Sequence, residues 1–201
     1  MGDKRIIKDR IKEEKMEQKF ENEEMVIKRV NRELVAQGAI LQYYHDTVKI
    51  PNGNTACFDF IKHQGAAAVL PVTKQGKLLM VRQYRNALDR FTLEIPAGGL
   101  NGPEEPTKVA AARELEEETG YVSDDLEMLL SIYPTVAYCN EKIDIYLARN
   151  LKKTAQHLDE DEFVAVEEWD VSDLEELIYQ GIIQDSKTVG AILAYKNKYL
   201  K

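Results

Sequence analysis

The chain has 201 residues, of which 44% are hydrophobic and 31% charged, and its formal net charge is −8. This size predicts one well-cored domain with an appended segment, and the acidic balance disfavours nonspecific binding to nucleic acid or membranes. The absence of a run of about 18 apolar residues argues against a membrane-spanning helix. The N-terminus lacks the apolar core of a secretory signal, and Cys57 and Cys139 are too few for a disulfide framework. We therefore expect a cytoplasmic protein.

The pattern of the chain changes near residue 26. Residues 1–25 are densely charged, and we interpret them as a solvated N-terminal extension, with a short amphipathic helix as the alternative. Residues 26–62 are typical of strands, and Asn52-Gly53 predicts the turn of a hairpin. The sequence thus predicts a small N-terminal β-rich region before the main domain, which covers residues 63–201.

Strands and helices are mixed along the main domain. The run AAAVLPV after Gly65 predicts a strand, and KLLMVRQYR is expected to be its hairpin partner. FTLEIPAGG predicts one further strand, which leads to a helix between Pro106 and Gly120. Two strands, an acidic loop, the strand FVAVEEWDV and two helices complete the chain. Because strands outnumber helices, the pattern favours a mixed sheet with helices on both faces.

The last two helices carry sequence signals at their starts. Ser172 is expected to cap the first of them, and Asp185 or Ser186 is expected to open the second. Gly181 is expected to end the first helix.

Three glutamates crowd one face of the helix before Gly120. Glu114, Glu117 and Glu118 stand at i, i+3 and i+4 and therefore share one face. Like charges at this spacing oppose helix formation by about 0.2–0.5 kcal/mol per pair. A hard divalent cation such as Mg²⁺ offsets that repulsion and shares its other positions with substrate phosphates. The cluster indicates a metal site for a phosphate compound, and the alternative is a solvated acidic helix face.

The spacing of these glutamates resembles the Nudix box, G-x5-E-x7-R-E-U-x-E-E-x-G-U, in which U is a bulky apolar residue. Here the stretch GLNGPEEPTKVAAARELEEETGY runs from Gly99 to Tyr121 and contains every fixed position. The resemblance implies that residues 63–201 form a Nudix hydrolase domain. Its fold class is then α/β, a Nudix α/β/α sandwich with a mixed sheet, to which the N-terminal β-rich region is added.

Segments outside the box are similar to the ADP-ribose pyrophosphatase branch of this superfamily. They are VRQYR (81–85), LEIPAGG (93–99) and the C-terminal LIYQGIIQDSKTVGAILAY. The resemblance implies Mg²⁺-dependent hydrolysis of the pyrophosphate bond of a nucleoside diphosphate sugar, with ADP-ribose giving AMP and ribose 5-phosphate. It also implies a homodimer in which residues 26–62 exchange between subunits. The alternative is that these residues cover an open sheet edge.

The resemblance assigns the metal to specific residues. Mg²⁺, with Mn²⁺ as a substitute, is expected on Glu114, Glu117 and Glu118 together with the backbone carbonyl of Ala97 or Gly98. Glu117 is counted among the catalytic residues as well.

The remaining site residues lie in other segments. In the acidic loop 157–163, Glu160 is expected to activate the attacking water, with Glu162 as the fallback. Arg85, Arg82 and Glu141 are expected to bind substrate. The two arginines are three apart on a strand and project to opposite faces, and a guanidinium suits bidentate phosphate binding. The alternative role for Arg85 is a surface salt bridge.

Two departures from the family pattern leave the substrate open. The sequence Pro96-Ala97-Gly98-Gly99 places one extra residue in the following loop, and Val136 stands where related enzymes have a proline. GDP-mannose or a UDP-sugar is therefore the alternative substrate. Two further alternatives are a catalytically silent Nudix domain that binds a nucleotide and an acidic helix with an accidental box match.

Overall fold

The computed structural model describes residues 26–158 and 163–200, which form two compact units with a boundary between Ile61 and Lys62. The expected N-terminal extension, residues 1–25, lies outside the described residues. Within the described ranges, no helix has both the length and the apolar character needed to cross a membrane.

The first unit is a three-stranded sheet in the order β1-β2-β3. Its strands are β1 (Lys28–Gln37), β2 (Gln42–Lys49) and β3 (Thr55–Lys62). The predicted turn lies between β2 and β3, where the Gly53 N–H donates to the Ile50 carbonyl at 2.9 Å. Arg32 forms a two-pronged contact with Asp46, at 2.6 and 2.5 Å, and its guanidinium covers the ring of Phe60 at 3.8 Å. These contacts tie the three strands together.

The second unit holds the other described strands and helices. Its strands are β4 (Ala66–Pro71), β5 (Leu78–Arg85), β6 (Arg90–Glu94), β7 (Ala97–Gly99), β8 (Tyr121–Val122), β9 (Asp125–Ile132), β10 (Ile143–Arg149), β11 (Lys152–Lys153) and β12 (Val164–Trp169). Its helices are α1 (Thr107–Thr119), α2 (Val171–Tyr179) and α3 (Ser186–Tyr199), and a short 3₁₀ turn spans Asn86–Leu88.

The strands of this unit form a mixed sheet and a smaller antiparallel one. In the order β7-β4-β10-β9, β4 runs parallel to β10 and antiparallel to β7, and β9 is antiparallel to β10. The smaller sheet has the order β12-β5-β6, and β11 pairs with β8. The mixed sheet expected from the sequence is confirmed.

Strand β4 is buried along its whole length because helices cover both faces of its sheet. Ala67 and Val69 belong to a core cluster with Ala111 and Leu115 of α1. The alternate residues of β4 belong to a second cluster with Ile192 of α3. Successive side chains of a strand point to opposite faces, so the two clusters lie on opposite sides of one sheet. The expected α/β/α sandwich is confirmed.

Two of the expected strand assignments are wrong. β4 and β5 do not form a regular hairpin, since a single bridge from Val72 to Leu78 joins them before each enters its own sheet. FTLEIPAGG is two strands, because the chain leaves one sheet after Glu94 and enters the other at Ala97. Proline has no N–H for a strand ladder, and the Pro96 carbonyl instead accepts the Val69 N–H at 2.9 Å.

The helix ends agree with the sequence signals in most places. Gly120 ends α1 in a left-handed conformation, with φ of +68°, and Asp185 caps α3 by accepting the Thr188 N–H at 3.0 Å. Ser172 is not a cap. It lies inside α2, because the extended residue that precedes the helix is Asp170, whose carbonyl accepts the Leu174 N–H at 3.2 Å.

Candidate active site

Helix α1 is placed against the sheet by small and apolar side chains. Ala110, Ala111 and Leu115 are fully buried, and the alanines allow the helix to approach the strands closely. This packing also draws two carboxylates inward, so that Glu114 is 7% and Glu118 2% exposed. Burying a carboxylate is costly unless hydrogen bonds or opposite charges compensate it, and the surroundings of both residues supply such contacts.

Strand β7 brings its backbone to these two carboxylates. The Ala97 N–H donates to Oε2 of Glu118 at 3.0 Å. A Cβ atom added to Gly98 would lie 2.1 Å from Oε1 of Glu114, well inside the contact limit. Glycine at this position therefore gives the Glu114 carboxylate its space. The predicted metal-binding backbone and two of the predicted metal-binding glutamates are thus brought together.

Arg113 joins the acidic residues to one another and to β7. Its Nη1 donates to Glu114 at 2.6 Å and to Glu117 at 2.8 Å, and its Nη2 donates to the Gly99 carbonyl at 3.1 Å. Burial lowers the pKa of Arg113, but the charge of Glu114 and the hydrogen bond to Glu117 raise the pKa by more. The arginine therefore stays charged, orients both carboxylates and offsets their mutual repulsion.

The donor atoms of this cluster fit a hard divalent cation. Glu114, Glu117, Glu118 and the β7 carbonyls offer only oxygen, the ligand type that Mg²⁺ prefers. Among the described residues, no three acidic, histidine or cysteine side chains already stand in a metal-binding arrangement. In this structure Arg113 donates to the carboxylates of Glu114 and Glu117, and the Ala97 N–H donates to that of Glu118.

Arg85 is the last residue of β5, a strand in contact with α1, and it forms a fork with Glu94. Its Nε donates to Oε1 of Glu94 at 2.8 Å and its Nη2 to Oε2 at 2.7 Å. The hydrogen bonds to Glu94 raise the pKa of Arg85 and outweigh the effect of burial, which lowers it, and the charges of Glu94 and Glu118 raise the pKa further. The Arg85 side chain remains 37% exposed and so is able to meet a ligand.

Glu94 is 3% exposed and has donors on both of its oxygens. Thr92 donates to Oε1 at 2.6 Å, and Lys187 at the start of α3 donates to Oε2. Burial raises the pKa of Glu94, but the Arg85 hydrogen bonds and the Lys187 charge outweigh it and hold the pKa at about 2. Glu94 is therefore ionised at neutral pH.

Arg82 and Glu141 occupy different surroundings from Arg85. Arg82 extends from the opposite face of β5 and forms a fork with Glu167, at 2.6 and 3.1 Å. In this contact Arg82 is bound to β12 and not to the glutamates of α1. Glu141 lies 3.6 Å from Nδ1 of His63, which itself accepts the Gly65 N–H at 3.0 Å. Glu141 thus lies beside the entrance to β4.

Glu160 and Glu162 lie outside the described residues, so their predicted roles stay predictions. The segment that precedes them is attached to the end of α1. The His157 N–H donates to the Glu117 carbonyl at 3.0 Å, and the Gln156 amide donates to the Glu118 carbonyl at 2.6 Å. Residues 156 and 157, where the acidic loop begins, are therefore attached to the backbone at the end of α1.

Sequence reasoning missed three residues that shape this site, namely Glu94, Lys187 and Gln156. Glu94 and Lys187 lie within LEIPAGG and LIYQGIIQDSKTVGAILAY, where neither had an expected role, and Gln156 directly precedes the acidic loop 157–163. The available signal was a charged residue in an apolar setting, as with Glu94 in LEIPAGG and Lys187 at the start of a largely apolar helix. Buried ionised groups are rare unless they are paired, so a charged residue in an apolar segment indicates a buried ion pair.

Comparisons with known proteins agree with this geometry. The NUDIX domain family matches residues 62–189. ADP-ribose pyrophosphatase of Bacillus subtilis (strain 168) is 40% identical over 167 residues, which cover 82% of this chain and 90% of that protein. The methanol dehydrogenase activator of Bacillus methanolicus has the same identity and the same coverage. A crystal structure of ADP compounds hydrolase has a TM-score of 0.75 at 22% identity and covers 86% of this chain and 92% of that chain, which shows the common fold.

The chain belongs to the Nudix hydrolases, a family whose members generally depend on a divalent metal. Within that family it falls in the ADP-ribose pyrophosphatase-like branch.

Proposed function

We propose that this Nudix hydrolase uses Mg²⁺ to cleave the pyrophosphate bond of ADP-ribose, giving AMP and ribose 5-phosphate. The observation that carries the proposal is the approach of the β7 backbone to Glu114 and Glu118 on α1, a helix that also contacts β5, the strand of the partly exposed Arg85. The choice of ADP-ribose is supported by the relative named ADP-ribose pyrophosphatase. Mn²⁺ is the expected substitute metal.

Each residue has a distinct part in this proposal. Glu114, Glu117 and Glu118, with a carbonyl of Ala97 or Gly98, would hold the metal. When bound, Mg²⁺ offsets charge on the diphosphate oxygens and lowers the pKa of a coordinated water. Arg113 keeps two of the glutamates oriented through its hydrogen bonds.

The hydrolysis itself needs a base and a phosphate ligand from the chain. Glu160, with Glu162 as the fallback, takes the proton of the attacking water, and Glu117 is a further catalytic residue in this proposal. The water oxygen bonds to one phosphorus while the bond from that phosphorus to the bridging oxygen breaks. Arg85 binds the diphosphate through the exposed part of its guanidinium. Arg82 and Glu141 are proposed as further substrate contacts.

Other substrates and another class of function are tested together. A panel of ADP-ribose, GDP-mannose, UDP-glucose and NADH, with phosphatase-coupled phosphate release, ranks the nucleoside diphosphate substrates. A silent, nucleotide-binding Nudix domain gives no release from any of them. The relative named as a methanol dehydrogenase activator points to action on a partner enzyme. The carboxylate cluster beside Arg85 favours hydrolysis over that role.

The metal assignment is tested by replacing Glu118→Gln. We expect kcat for ADP-ribose to fall by about 100-fold or more, because a neutral amide is a poor ligand for a hard cation. The matched control is Glu116→Gln, on the same helix, whose side chain contacts Thr154 at 3.3 Å rather than β7. AMP release is measured with saturating Mg²⁺, and wild-type turnover in the Glu118 variant would contradict the proposal.

We also propose that the protein is a homodimer in which residues 26–62 exchange between subunits. Apolar side chains on β1 support this proposal, since Val30 is 54%, Leu34 48% and Val35 47% exposed. Apolar surface of this kind is typical of an interaction site. The cytoplasm is the proposed location, because Cys57 and Cys139 are free thiols, as is usual in a reducing compartment.

A further inference from the structure

The first turn of α3 is fixed to β6 by two neighbouring contacts. Lys187 donates to the Glu94 carboxylate, and the hydroxyl of Thr188 accepts the Ile95 N–H at 3.0 Å. The hydroxyl of Thr188 also donates to Asp185, at 2.6 Å. Glu94 and Ile95, at the end of β6, are therefore held by Lys187 and Thr188, in the first turn of α3.

The charges of this contact balance inside the protein. Lys187 is 7% and Glu94 3% exposed, and Lys187 also contacts Asp185 at 3.0 Å. Arg85 supplies the second positive charge opposite Glu94. Because the four charges cancel and every member has a partner, the cluster tolerates its burial.

The same cluster determines where the Arg85 guanidinium lies. A carboxylate has two oxygens and about four acceptor positions. On Glu94, one position on each oxygen receives Arg85, and Thr92 and Lys187 take the others. The carboxylate cannot rotate without losing all four donors together, so the guanidinium is held at a fixed position and in a fixed plane.

We propose that Glu94 and Lys187 are a positioning pair that holds Arg85 for binding the substrate diphosphate. The pair does not touch substrate. It acts by keeping the Nε and Nη2 edge of Arg85 on Glu94, which leaves the exposed part of the guanidinium to bind the diphosphate. This inference rests on the proposed function, since it requires a diphosphate substrate that Arg85 binds.

A double-mutant cycle tests whether Lys187 acts through Arg85. The variants Arg85→Gln, Lys187→Met and their combination are compared with the full-length wild-type chain for KM and kcat on ADP-ribose. We expect Arg85→Gln to raise KM by about 30-fold and Lys187→Met by about 10-fold, with smaller changes in kcat. In the combination we expect KM within about twofold of Arg85→Gln alone, because the lysine has nothing left to position.

The control separates positioning from general loss of stability. Lys196→Met removes another α3 lysine, which pairs with Glu175 on α2, and should leave KM unchanged. The Mg²⁺ concentration for half-maximal activity should also stay at the wild-type value in Lys187→Met, because the metal ligands are elsewhere. If Lys187→Met melts below the assay temperature, Glu94→Asp takes its place in the cycle, since it retains the charge and shortens the reach.

The results distinguish a failure of this inference from a failure of the proposed function. A wild-type KM in Lys187→Met or in Arg85→Gln overturns the inference, and so does a combination whose KM increase is the product of the two single increases. A wild-type chain that does not hydrolyse ADP-ribose or the other panel compounds contradicts the proposed function instead.

Discussion

The Glu114 carboxylate leaves no space for a side chain at position 98, which is a glycine. Its backbone does not have a positive φ, so an L-residue is compatible with its conformation. What excludes a side chain is Glu114, whose Oε1 occupies the position that a Cβ would need. The glycine therefore serves the site, because it lets the strand approach the carboxylate.

Replacing Gly98→Ala should displace the Glu114 carboxylate. We expect kcat to fall by about tenfold or more and the Mg²⁺ concentration for half-maximal activity to rise, since one metal ligand is moved. The matched control is Gly99→Ala, because no atom of the described residues lies within 4 Å of a Cβ at that position. Magnesium titrations of both variants make the comparison, and equal behaviour of the two would refute this role for Gly98.

The sequence made the box residues predictable because their spacing is local. Glu114, Glu117 and Glu118 follow from the repeat of one helix, and Arg113 belongs to the same motif. Glu94 and Lys187 are 93 residues apart, and no local rule pairs them. Arg85 was singled out by resemblance as a substrate-binding residue, which stays a prediction, and the carboxylate that it contacts is also held by that distant lysine.

At the scale of elements, the junction between β6 and α3 links stability to pH. Glu94 has a folded pKa of about 2 against an ordinary value of 4.5. A group with a lowered folded pKa stabilises the protein above its unfolded pKa and loses this contribution as the pH falls toward the folded value. The contribution of Glu94 is therefore complete at neutral pH and declines between about pH 4.5 and pH 2.

Replacing Glu94→Gln should lower the free energy of unfolding at about pH 7 by about 3 kcal/mol, from the size of that shift. At about pH 3 the difference from wild type should be smaller, because the wild-type protein has by then lost part of the same contribution. Urea unfolding at both pH values measures this. Glu168→Gln, on the exposed part of β12, is the control, and a difference that does not narrow with acid would refute the assignment.

The ends of the helices follow from local sequence signals, but the pairing of the strands does not. Gly120 and Asp185 ended and began helices as predicted, since caps act within one turn. The strands AAAVLPV and KLLMVRQYR were also correctly located, yet they separate into different sheets instead of forming the expected hairpin. Strand partners are chosen by burial across the whole fold, and β4 prefers β10, more than 70 residues later, to its neighbour in sequence.

At the scale of the whole molecule, we expect a dimer in solution. Light scattering should give a mass near twice the chain mass of 23.0 kDa. Placing charges in the exposed apolar positions of β1, with Val30→Glu and Leu34→Glu together, should shift the protein toward the monomer, because burying unpaired carboxylates is costly. Ile182→Glu, at a 55% exposed position of the second unit, is the control. A monomeric wild-type protein would contradict the dimer.

The contact between Lys187 and Glu94 forms late during synthesis of the chain, because its two residues lie far apart in the sequence. The Nudix box, β5 and β6 all leave the ribosome before α3 has been made. Until α3 docks, Glu94 lacks its lysine and the Ile95 N–H lacks the Thr188 hydroxyl. A nascent chain therefore carries every box residue before Glu94 has gained all the contacts that hold Arg85, and we expect the hydrolase to become active only after α3 packs against β6.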